Sequence, residues 1–287
     1  NYPNWDTKFV YMCMEYGISE ALPIYSGGLG ILAGDHLKSA SDLGIPLIAV
    51  GLLYKHGYFV QEISSDLTQQ ELFPQYSPED LPITPLLDAE GKPVLVQVPL
   101  DDQMITARVF QADVGRVKLY LLDPDTPETP PEYRLICDYL YNPGMDIRVA
   151  QEILLGVGGI RLLKELNIEP GLVHLNEGHP AFAAFERIKD LMQKGLSFEE
   201  SLEVVKESTV FTTHTPVPAG HDKFPVDFIY GRFRSFFEGL PADKFLSLGK
   251  ETEDSGELNM TVLAIRTSAY VNGVSQLHAR VSREMFR

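Results

Sequence analysis

The sequence predicts an α/β domain with a parallel central sheet and a β-hairpin insertion. The run "KFVYMCMEYG" is rich in β-branched and aromatic residues, and it leads into a glycine-rich turn and then a helical pattern. Strands and helices alternate again later in the chain, where "GLVHLNEGH" and "STVFTTH" are predicted strands. This alternation is typical of parallel sheets with right-handed crossovers.

The first unit is a predicted βαβ motif. Its first strand continues into "IYSGGLGILAGDHLKSASDLG", residues 24–44, where Leu37, Ala40 and Leu43 recur at helical spacing. The apolar run "GIPLIAVGLLY" then predicts a second buried strand. The glycines therefore lie between a strand and a helix.

The middle of the chain has a β-rich texture. "PVLVQVPL", "MITARVFQA" and "VKLYLLD" are short predicted strands, and we interpret residues 58 to about 123 as hairpins inserted in a single domain that spans residues 1–287. A proline-rich loop, "LDPDTPETPPEY", precedes the helical run "RVAQEILLGVGGIRLLKEL". The segment "NMTVLAIRTSAYVNGVSQLHARVSREMF" is predicted to be nearly all helical, with a break at "VNG".

Composition limits the classes of partner. The chain has 40 acidic and 24 basic residues, a formal net charge of −16, so we expect no nucleic-acid partner, which would require clustered Lys and Arg. No apolar run reaches the roughly 18 residues of a spanning helix, so we expect no membrane association. The two cysteines, Cys13 and Cys137, favour a reducing compartment, and we predict a cytoplasmic location.

The glycine turn is a candidate anion site. Glycines permit close approach to the backbone, and a helix N-terminus carries about half a positive charge. The spacing of "GGLGILAG" fits neither G-x-G-x-x-G nor the P-loop, and "YSGGLG" is not a nucleophile elbow. Spacing alone leaves two alternatives open: an anion-binding loop, and a tight turn without a ligand.

Two polar clusters follow predicted strands. The cluster in "HLNEGHP" comprises His174, Asn176, Glu177 and His179, and the cluster in "FTTHTPVPAGHD" comprises His214, Thr215 and His221. Their spacing fits no zinc pattern, so we predict no metal. Each cluster alone could simply satisfy local backbone groups. The ends of parallel strands converge at one crevice, however. The glycine turn and the two polar clusters together therefore suggest a site for phosphate beside a polyhydroxylated ligand.

Four stretches resemble the α-glucan phosphorylases, the glycogen, starch and maltodextrin phosphorylase family. They are "MEYGISEALPIYSGGLGILAGDHLKSASDLGIPLIAVGLLYKHGYFVQEI", "HLNEGHPAFAAFE", "FTTHTPVPAGHDKFP" and "VNGVSQLHARVSREMF". The resemblance implies the N-terminal half of a GT-B glycosyltransferase, in which two Rossmann-like halves face each other. It also implies that the pyridoxal phosphate cofactor and its lysine belong mainly to the C-terminal half, which we expect to be absent here.

The family reaction is reversible phosphorolysis of an α-1,4-glucan, such as glycogen, starch or maltodextrin, by inorganic phosphate to give α-glucose 1-phosphate. By resemblance, the catalytic group is His214, Gly28 and Leu29, with Gly27 and Gly28 binding phosphate. The sugar site comprises Leu29, Asn176, Glu177, His179, His214 and Thr215. The resemblance also implies a homo-oligomer for the full-length protein and inactivity for this chain alone.

One loop departs from the family pattern. Gly144 stands about where the family usually offers an acidic residue, and Asp146 follows two positions later. We interpret Asp146 as a helix N-terminal residue that complements the helix dipole. It is therefore not a predicted site residue.

Two other functions compete with phosphorolysis. A nucleotide-sugar glucan synthase also uses a glycine loop, but synthases usually have a Lys shortly before the paired glycines, where this chain has Ile24, Tyr25 and Ser26. The other alternative is a glucan-binding module without activity.

Overall fold

The computed structural model describes residues 7–217 and 220–286. The strands are β1 (Lys8–Met12), β2 (Tyr16–Ser19), β3 (Leu22–Ile24), β4 (Leu47–Leu52), β5 (Val60–Ile63), β6 (Gln69–Leu72), β7 (Thr84–Pro85), β8 (Leu95–Leu100), β9 (Gln103–Val114), β10 (Val117–Asp123), β11 (Pro170–Asn176), β12 (Thr209–Thr213), β13 (Lys223–Pro225), β14 (Glu257–Asn259) and β15 (Tyr270–Gly273).

The helices are α1 (Gly28–Leu43), α2 (Met145–Ile153), α3 (Gly159–Glu165), α4 (Ala183–Gln193), α5 (Phe198–Glu207), α6 (Val226–Arg232), α7 (Ala242–Ser247), α8 (Met260–Arg266) and α9 (Gln276–Met285). A π-helical turn, Leu154–Gly158, connects α2 to α3. Among the described helices, none has both the length and the apolarity that a bilayer crossing demands.

The main sheet is mostly parallel. Its order is β15-β12-β11-β1-β4-β10-β9-β7, and β8 also pairs with β9. The six strands from β15 to β10 pair in parallel. Strand β9 is antiparallel to β10, and β7 and β8 are antiparallel to β9. The predicted mixed α/β class with a mostly parallel sheet is confirmed.

The β-rich stretch from residue 58 to 123 extends this sheet. Strand β10 pairs in parallel with β4, with Lys118 opposite Ile48 and Leu122 opposite Leu52. The same strand forms an antiparallel hairpin with β9, in agreement with the interpretation of this stretch as hairpins. The hairpin β5–β6 is separate from the main sheet, and the residues of both its strands are exposed. The assignment of this stretch as an insertion remains a prediction.

The expectation of a nearly all helical segment is wrong around the predicted break at "VNG". Tyr270–Gly273 forms strand β15, which pairs in parallel with β12 at the sheet edge. Tyr270 is 67% exposed and Val271 is 47% exposed, so no alternation of buried and exposed residues marks this strand in the sequence. Its backbone pairing with Val210–Thr213 is a long-range contact that local periodicity cannot reveal.

Helix α1 packs closely on the β2 hairpin because of a glycine. A Cβ at Gly34 would lie 2.0 Å from the carbonyl oxygen of Gly17, so only a hydrogen fits between the helix and the strand. Ala33, Leu37 and Ala40 bury the same side of the helix against the core. This contact fixes the position of the helix N-terminus at the sheet edge.

We predict that Gly34→Ala destabilises the protein although alanine is the better helix former. The methyl group meets backbone rather than a flexible side chain, so the cost should exceed about 1 kcal/mol of unfolding free energy. Gly231→Ala, in α6 with no atom within 4 Å of its Cβ, is the control and should be neutral or stabilising. Thermal unfolding of the full-length variants tests this, and equal melting temperatures would contradict the packing argument.

Candidate active site

The C-terminal ends of the parallel strands bring the conspicuous polar residues to one edge of the sheet. Glu15 follows β1, Glu177 follows β11 and His214 follows β12. Strand β11 lies between β1 and β12 in the sheet, so these three strand ends are neighbours. The structure thus joins the clusters that the sequence places far apart, at the edge where open α/β sheets bind ligands.

Glu15 binds the glycine turn from inside the protein. Its Oε2 accepts hydrogen bonds from the backbone N–H and the hydroxyl of Ser26, and the N–H of Gly27 lies 3.4 Å away. Its other oxygen, Oε1, accepts a 2.9 Å hydrogen bond from the Tyr141 hydroxyl. Glu15 is only 2% exposed. The inner donors of this turn are therefore already satisfied by a side chain of the protein itself.

The glycines of the turn have two different functions. A Cβ at Gly27 or Gly28 would have no atom within 4 Å, so this side of the turn is open. A Cβ at Gly30 would lie 2.7 Å from the Tyr25 Cβ and 2.9 Å from the Glu15 Oε2, so Gly30 permits packing. Helix α1 begins at Gly28, and its N-cap, Gly27, provides no side-chain hydrogen bond. The first backbone N–H groups of α1, which have no partner within the helix, therefore lie beside open space.

Glu177 connects the ends of β11 and β12. Its Oε2 accepts hydrogen bonds from the backbone N–H groups of His214 at 2.7 Å and Thr215 at 3.1 Å. Glu177 is 1% exposed and has a φ of +63°, a left-handed conformation that is costly for glutamate. Burial raises the pKa of Glu177 to about 7, although the two N–H donors oppose the shift. This carboxyl group therefore fixes backbone rather than facing outward.

The imidazole rings of His214 and His179 are both neutral near pH 7, so each ring can donate one hydrogen bond and accept another. Burial lowers the pKa of His214 to about 4, and burial together with Arg148 lowers the pKa of His179 to about 3. His214 Nε2 and His179 Nδ1 are buried and have no hydrogen-bond partner in the described part of the chain. Each ring thus retains one nitrogen for a group that the protein does not supply.

Asn176 and His174 contact other parts of the sheet. The Asn176 amide donates to the Tyr11 hydroxyl, and Asn176 is completely buried. The His174 Nε2 lies 2.7 Å from the Thr212 hydroxyl, and its ring packs against Tyr11. Asn176 Oδ1 has no partner among residues 7–217 and 220–286. Both residues therefore contribute first to packing of the strands.

Thr215 and His221 form a local turn. His221 Nε2 lies 3.0 Å from the Thr215 carbonyl oxygen, and its Nδ1 lies 2.8 Å from the Thr261 hydroxyl. A Cβ at Gly220 would lie 2.0 Å from Thr215 Cγ2, so Gly220 and Thr215 are in close contact. This arrangement supports the backbone that follows His214.

A second acidic group, which the sequence analysis missed, surrounds His179. Asp222 Oδ2 accepts hydrogen bonds from Arg148 Nε at 3.0 Å and Nη2 at 2.8 Å, and it lies 3.7 Å from His179 Nε2. Glu152, four residues after Arg148 on α2, is completely buried. One available signal was the pair of opposite charges at Arg148 and Glu152 inside the apolar helix pattern.

Three of these groups could be considered as metal ligands. Ligand atoms of Glu152, His179 and Asp222 lie within 4.8 Å of one another. The Arg148 guanidinium is 3.5 Å from Glu152 and forms hydrogen bonds with Asp222, so a cation already occupies this neighbourhood. A second cation would be repelled. The prediction of no metal remains a prediction.

Asp146 lies where the sequence analysis expected it. It is in the first turn of α2, whose N-cap is Gly144. Its Oδ1 accepts a 2.9 Å hydrogen bond from Arg232, and its side chain is 70% exposed. The residue therefore belongs to a surface ion pair at a helix N-terminus.

The fold and the strand-end residues define a mixed α/β protein with a candidate polar ligand site at the C-terminal edge of a mostly parallel sheet. Among known proteins, the maltodextrin phosphorylase of Thermococcus litoralis is 62% identical over 287 residues, which are all of this chain and 34% of that protein. The glycogen phosphorylase of Mycobacterium tuberculosis is 49% identical over 98% of this chain and 34% of its own length. The glycogen phosphorylase of Aquifex aeolicus is 40% identical over 96% of this chain and 40% of its own length.

Over its whole length the chain is homologous to maltodextrin and glycogen phosphorylases, and it spans about a third of the length of these curated relatives. No protein-family profile matches it. The family resemblance noted in the sequence is thereby confirmed. The roles of individual residues remain predictions.

We predict that Glu177 makes unfolding free energy depend on pH. Its folded pKa of about 7 exceeds the ordinary glutamate value of 4.5, so the folded state holds a proton that the unfolded state releases between these two values. This contribution is complete below pH 4.5, and it is lost as the pH rises through about 7. The loss should be on the order of 3 kcal/mol.

The measurement is urea unfolding of the wild type and of Glu177→Gln at a series of pH values. The neutral histidines contribute an opposite trend in both proteins, so only the difference between the two proteins reports Glu177. The stability advantage of the wild type should shrink as the pH rises. A constant difference would show that Glu177 does not titrate in this range.

Proposed function

We propose that this chain forms one wall of the active site of an α-glucan phosphorylase, a GT-B glycosyltransferase. The reaction is the reversible phosphorolysis of an α-1,4-glucan such as glycogen, starch or maltodextrin, with inorganic phosphate as the second substrate and α-glucose 1-phosphate as the product. The observation that carries the proposal is the open N-terminus of α1, which lies at the same sheet edge as His214. The relatives named above support the reaction class.

The phosphate site consists of backbone rather than cationic side chains. The open faces of Gly27 and Gly28 let an anion approach, and the amides of Gly28 and Leu29 lie in the first turn of α1. The Gly27 N–H is turned toward Glu15, so Gly27 contributes mainly by having no side chain. Glu15 also fixes the turn before the ligand arrives, which lowers the ordering cost of binding.

The sugar site is assigned to His214 and the residues around it. Glu177 holds the His214 and Thr215 amides, so the backbone of His214 is fixed and its carbonyl group is available beside the anomeric carbon. A fixed carbonyl dipole stabilises positive charge that develops there as the glycosidic bond breaks. The unpartnered His214 Nε2 is available to a sugar hydroxyl. Leu29, Asn176 and His179 complete the proposed pocket.

The reaction cleaves the bond between the anomeric carbon and the departing glucan oxygen. An oxygen of inorganic phosphate forms the new bond, and the departing oxygen gains a proton. In the proposal this chain orients both substrates, holds the phosphate by amides and stabilises the developing charge. His214 and His179 are neutral near pH 7, so they donate or accept hydrogen bonds without adding charge.

The strand-end residues do not fit attachment of pyridoxal phosphate, which needs a lysine. Within residues 7–217 and 220–286, no lysine forms an ion pair with Glu15, Glu152, Glu177 or Asp222. We therefore assign the cofactor to a part of the protein outside this chain and derive no step through it. A homo-oligomeric, cytoplasmic full-length protein completes the proposal.

We predict that the full-length protein forms glucose 1-phosphate from maltodextrin and phosphate. A coupled assay measures the product, and an absorbance spectrum detects pyridoxal phosphate in the same preparation. The control reaction replaces phosphate and maltodextrin with a nucleotide sugar and a glucan acceptor. Turnover in that control alone, without the cofactor, would favour a glucan synthase. Glucan binding without turnover in either reaction would favour a binding module.

We predict that Gly28→Ala impairs phosphate use more than glucan use. The added methyl group meets open space in the protein, so it should not disturb folding, but it occupies the path of an anion toward the amides. We expect the KM for phosphate to rise about tenfold, which corresponds to roughly 1.4 kcal/mol. Gly231→Ala is the matched control, because its Cβ also meets open space in a helix. Equal increases in both KM values would show that the loop is only a turn.

A further inference from the structure

Behind the proposed sugar site lies a buried cluster in which only His179 has been given a function. It consists of Arg148, Glu152, His179 and Asp222, and we refer to it as the buried acid cluster. Helix α2 supplies Arg148 and Glu152, whereas His179 follows β11 and Asp222 precedes β13. The cluster therefore joins a helix to the strand ends that carry the candidate site.

Within this cluster, Glu152 lacks the donors that a carboxylate requires. It is 0% exposed, and neither of its oxygens accepts a hydrogen bond from a described residue. The nearest cation is Arg148, whose Nε lies 3.5 Å from Oε1. That guanidinium already donates two hydrogen bonds to Asp222. An ionised Glu152 would thus be a buried charge beside a second carboxylate, with only part of one cation as compensation.

A single proton on Glu152 removes the repulsion between the two carboxylates. Ionised carboxylates can only accept hydrogen bonds, so two of them in contact repel each other. If Glu152 is protonated, its hydroxyl can donate to Asp222, and the cluster carries one positive and one negative charge. Burial raises the pKa of Glu152, and the Asp222 carboxylate raises it further. Burial is the largest effect on Asp222 and favours its protonated form, but Arg148, the hydrogen bond with Glu152 and His179 together outweigh burial, so the pKa of Asp222 is lowered.

We propose that Glu152 holds a proton, donates it in a hydrogen bond to Asp222, and thereby positions His179 at the candidate sugar site. Asp222 Oδ2 lies 3.7 Å from His179 Nε2, so it favours the tautomer with hydrogen on Nε2. That tautomer leaves Nδ1, which is buried and unpartnered, as an acceptor. Glu152 is a positioning residue, because it acts on the site through Asp222 and His179.

The other charged or titratable groups around the cluster do not supply the missing donor. The Tyr141 ring contacts both Arg148, at 4.8 Å from Cζ to the ring centroid, and His179, while its hydroxyl donates to Glu15. His214 and His221 influence the pKa of His179 only weakly compared with burial. Tyr141 also connects the buried acid cluster to the glycine turn through Glu15.

Infrared spectroscopy of the full-length protein tests the proton directly. At about pH 9, roughly two units above the pKa of Glu177, the wild type should show the carbonyl band of a buried carboxylic acid. The band should be absent in Glu152→Gln. Glu186→Gln is the matched control, since Glu186 is equally buried but pairs with Arg161 and Lys164 and should be ionised. Its loss should remove only carboxylate bands.

The proposal is overturned if Glu152→Gln removes carboxylate bands, or if zinc or magnesium ions bind the wild type tightly and not this variant. If Glu152→Gln does not fold, carboxyl-labelled glutamate in the wild type gives the same answer by NMR. One glutamate should then remain protonated at about pH 9, while Glu177 titrates near 7. The absence of such a signal would also overturn the proposal.

Kinetics test the positioning role, and this part of the inference depends on the proposed phosphorolysis. Glu152→Leu should lower kcat/KM for maltodextrin about tenfold or more, because Asp222 loses a donor. Glu152→Gln, whose amide can still donate, should restore most of that loss, and the KM for phosphate should change little. Equal loss in both variants would contradict positioning. Absence of glucose 1-phosphate in the wild type would refute phosphorolysis but leave the spectroscopic result intact.

Discussion

The strand-end site depends on buried carboxyl groups that bind backbone amides. Glu15 accepts from the Ser26 amide, with the Gly27 amide close by, and Glu177 accepts from the His214 and Thr215 amides. Loops at strand ends have backbone donors that the sheet does not use, and a buried carboxylate can satisfy two of them at once. The glycine turn is therefore held by Glu15, which follows β1. The backbone after β12 is held by Glu177, which follows β11. The site geometry exists before any ligand binds.

This use of carboxylates determines how the edge can bind an anion. The inner side of the glycine turn faces the Glu15 carboxyl group, while its outer side has the free faces of Gly27 and Gly28 and the first amides of α1. Neutral His179 and His214 add no positive charge. A phosphate here would depend on backbone dipoles, and further compensating charge would have to come from protons, cations or residues beyond this edge.

The sequence predicted the local units of the fold well and the long-range contacts poorly. The glycine turn, helix α1, strand β4 and the β9–β10 hairpin are encoded by adjacent residues, so periodicity and turn chemistry reveal them, but the β2–β3 hairpin between β1 and the glycine turn was not predicted. The pairing of β10 with β4 and the edge strand β15 depend on segments distant in sequence. In the candidate site, His179 and His214 follow recognisable strands. Glu15 and Glu152 were missed because isolated acids in apolar runs acquire meaning only from their partners in space.

Two equally buried glutamates show why burial alone does not determine charge. Glu186 is 2% exposed, and Arg161 Nε and Lys164 Nζ lie 2.9 and 2.7 Å from its Oε1. Two nearby cations outweigh burial, and the pKa of Glu186 is lowered. Glu152 shares one cation with Asp222, and burial raises its pKa. The number of cations that contact each buried glutamate therefore decides whether it forms an ion pair, as Glu186 does, or holds a proton. Cations are scarce around Glu152, so its protonated form is the stable one.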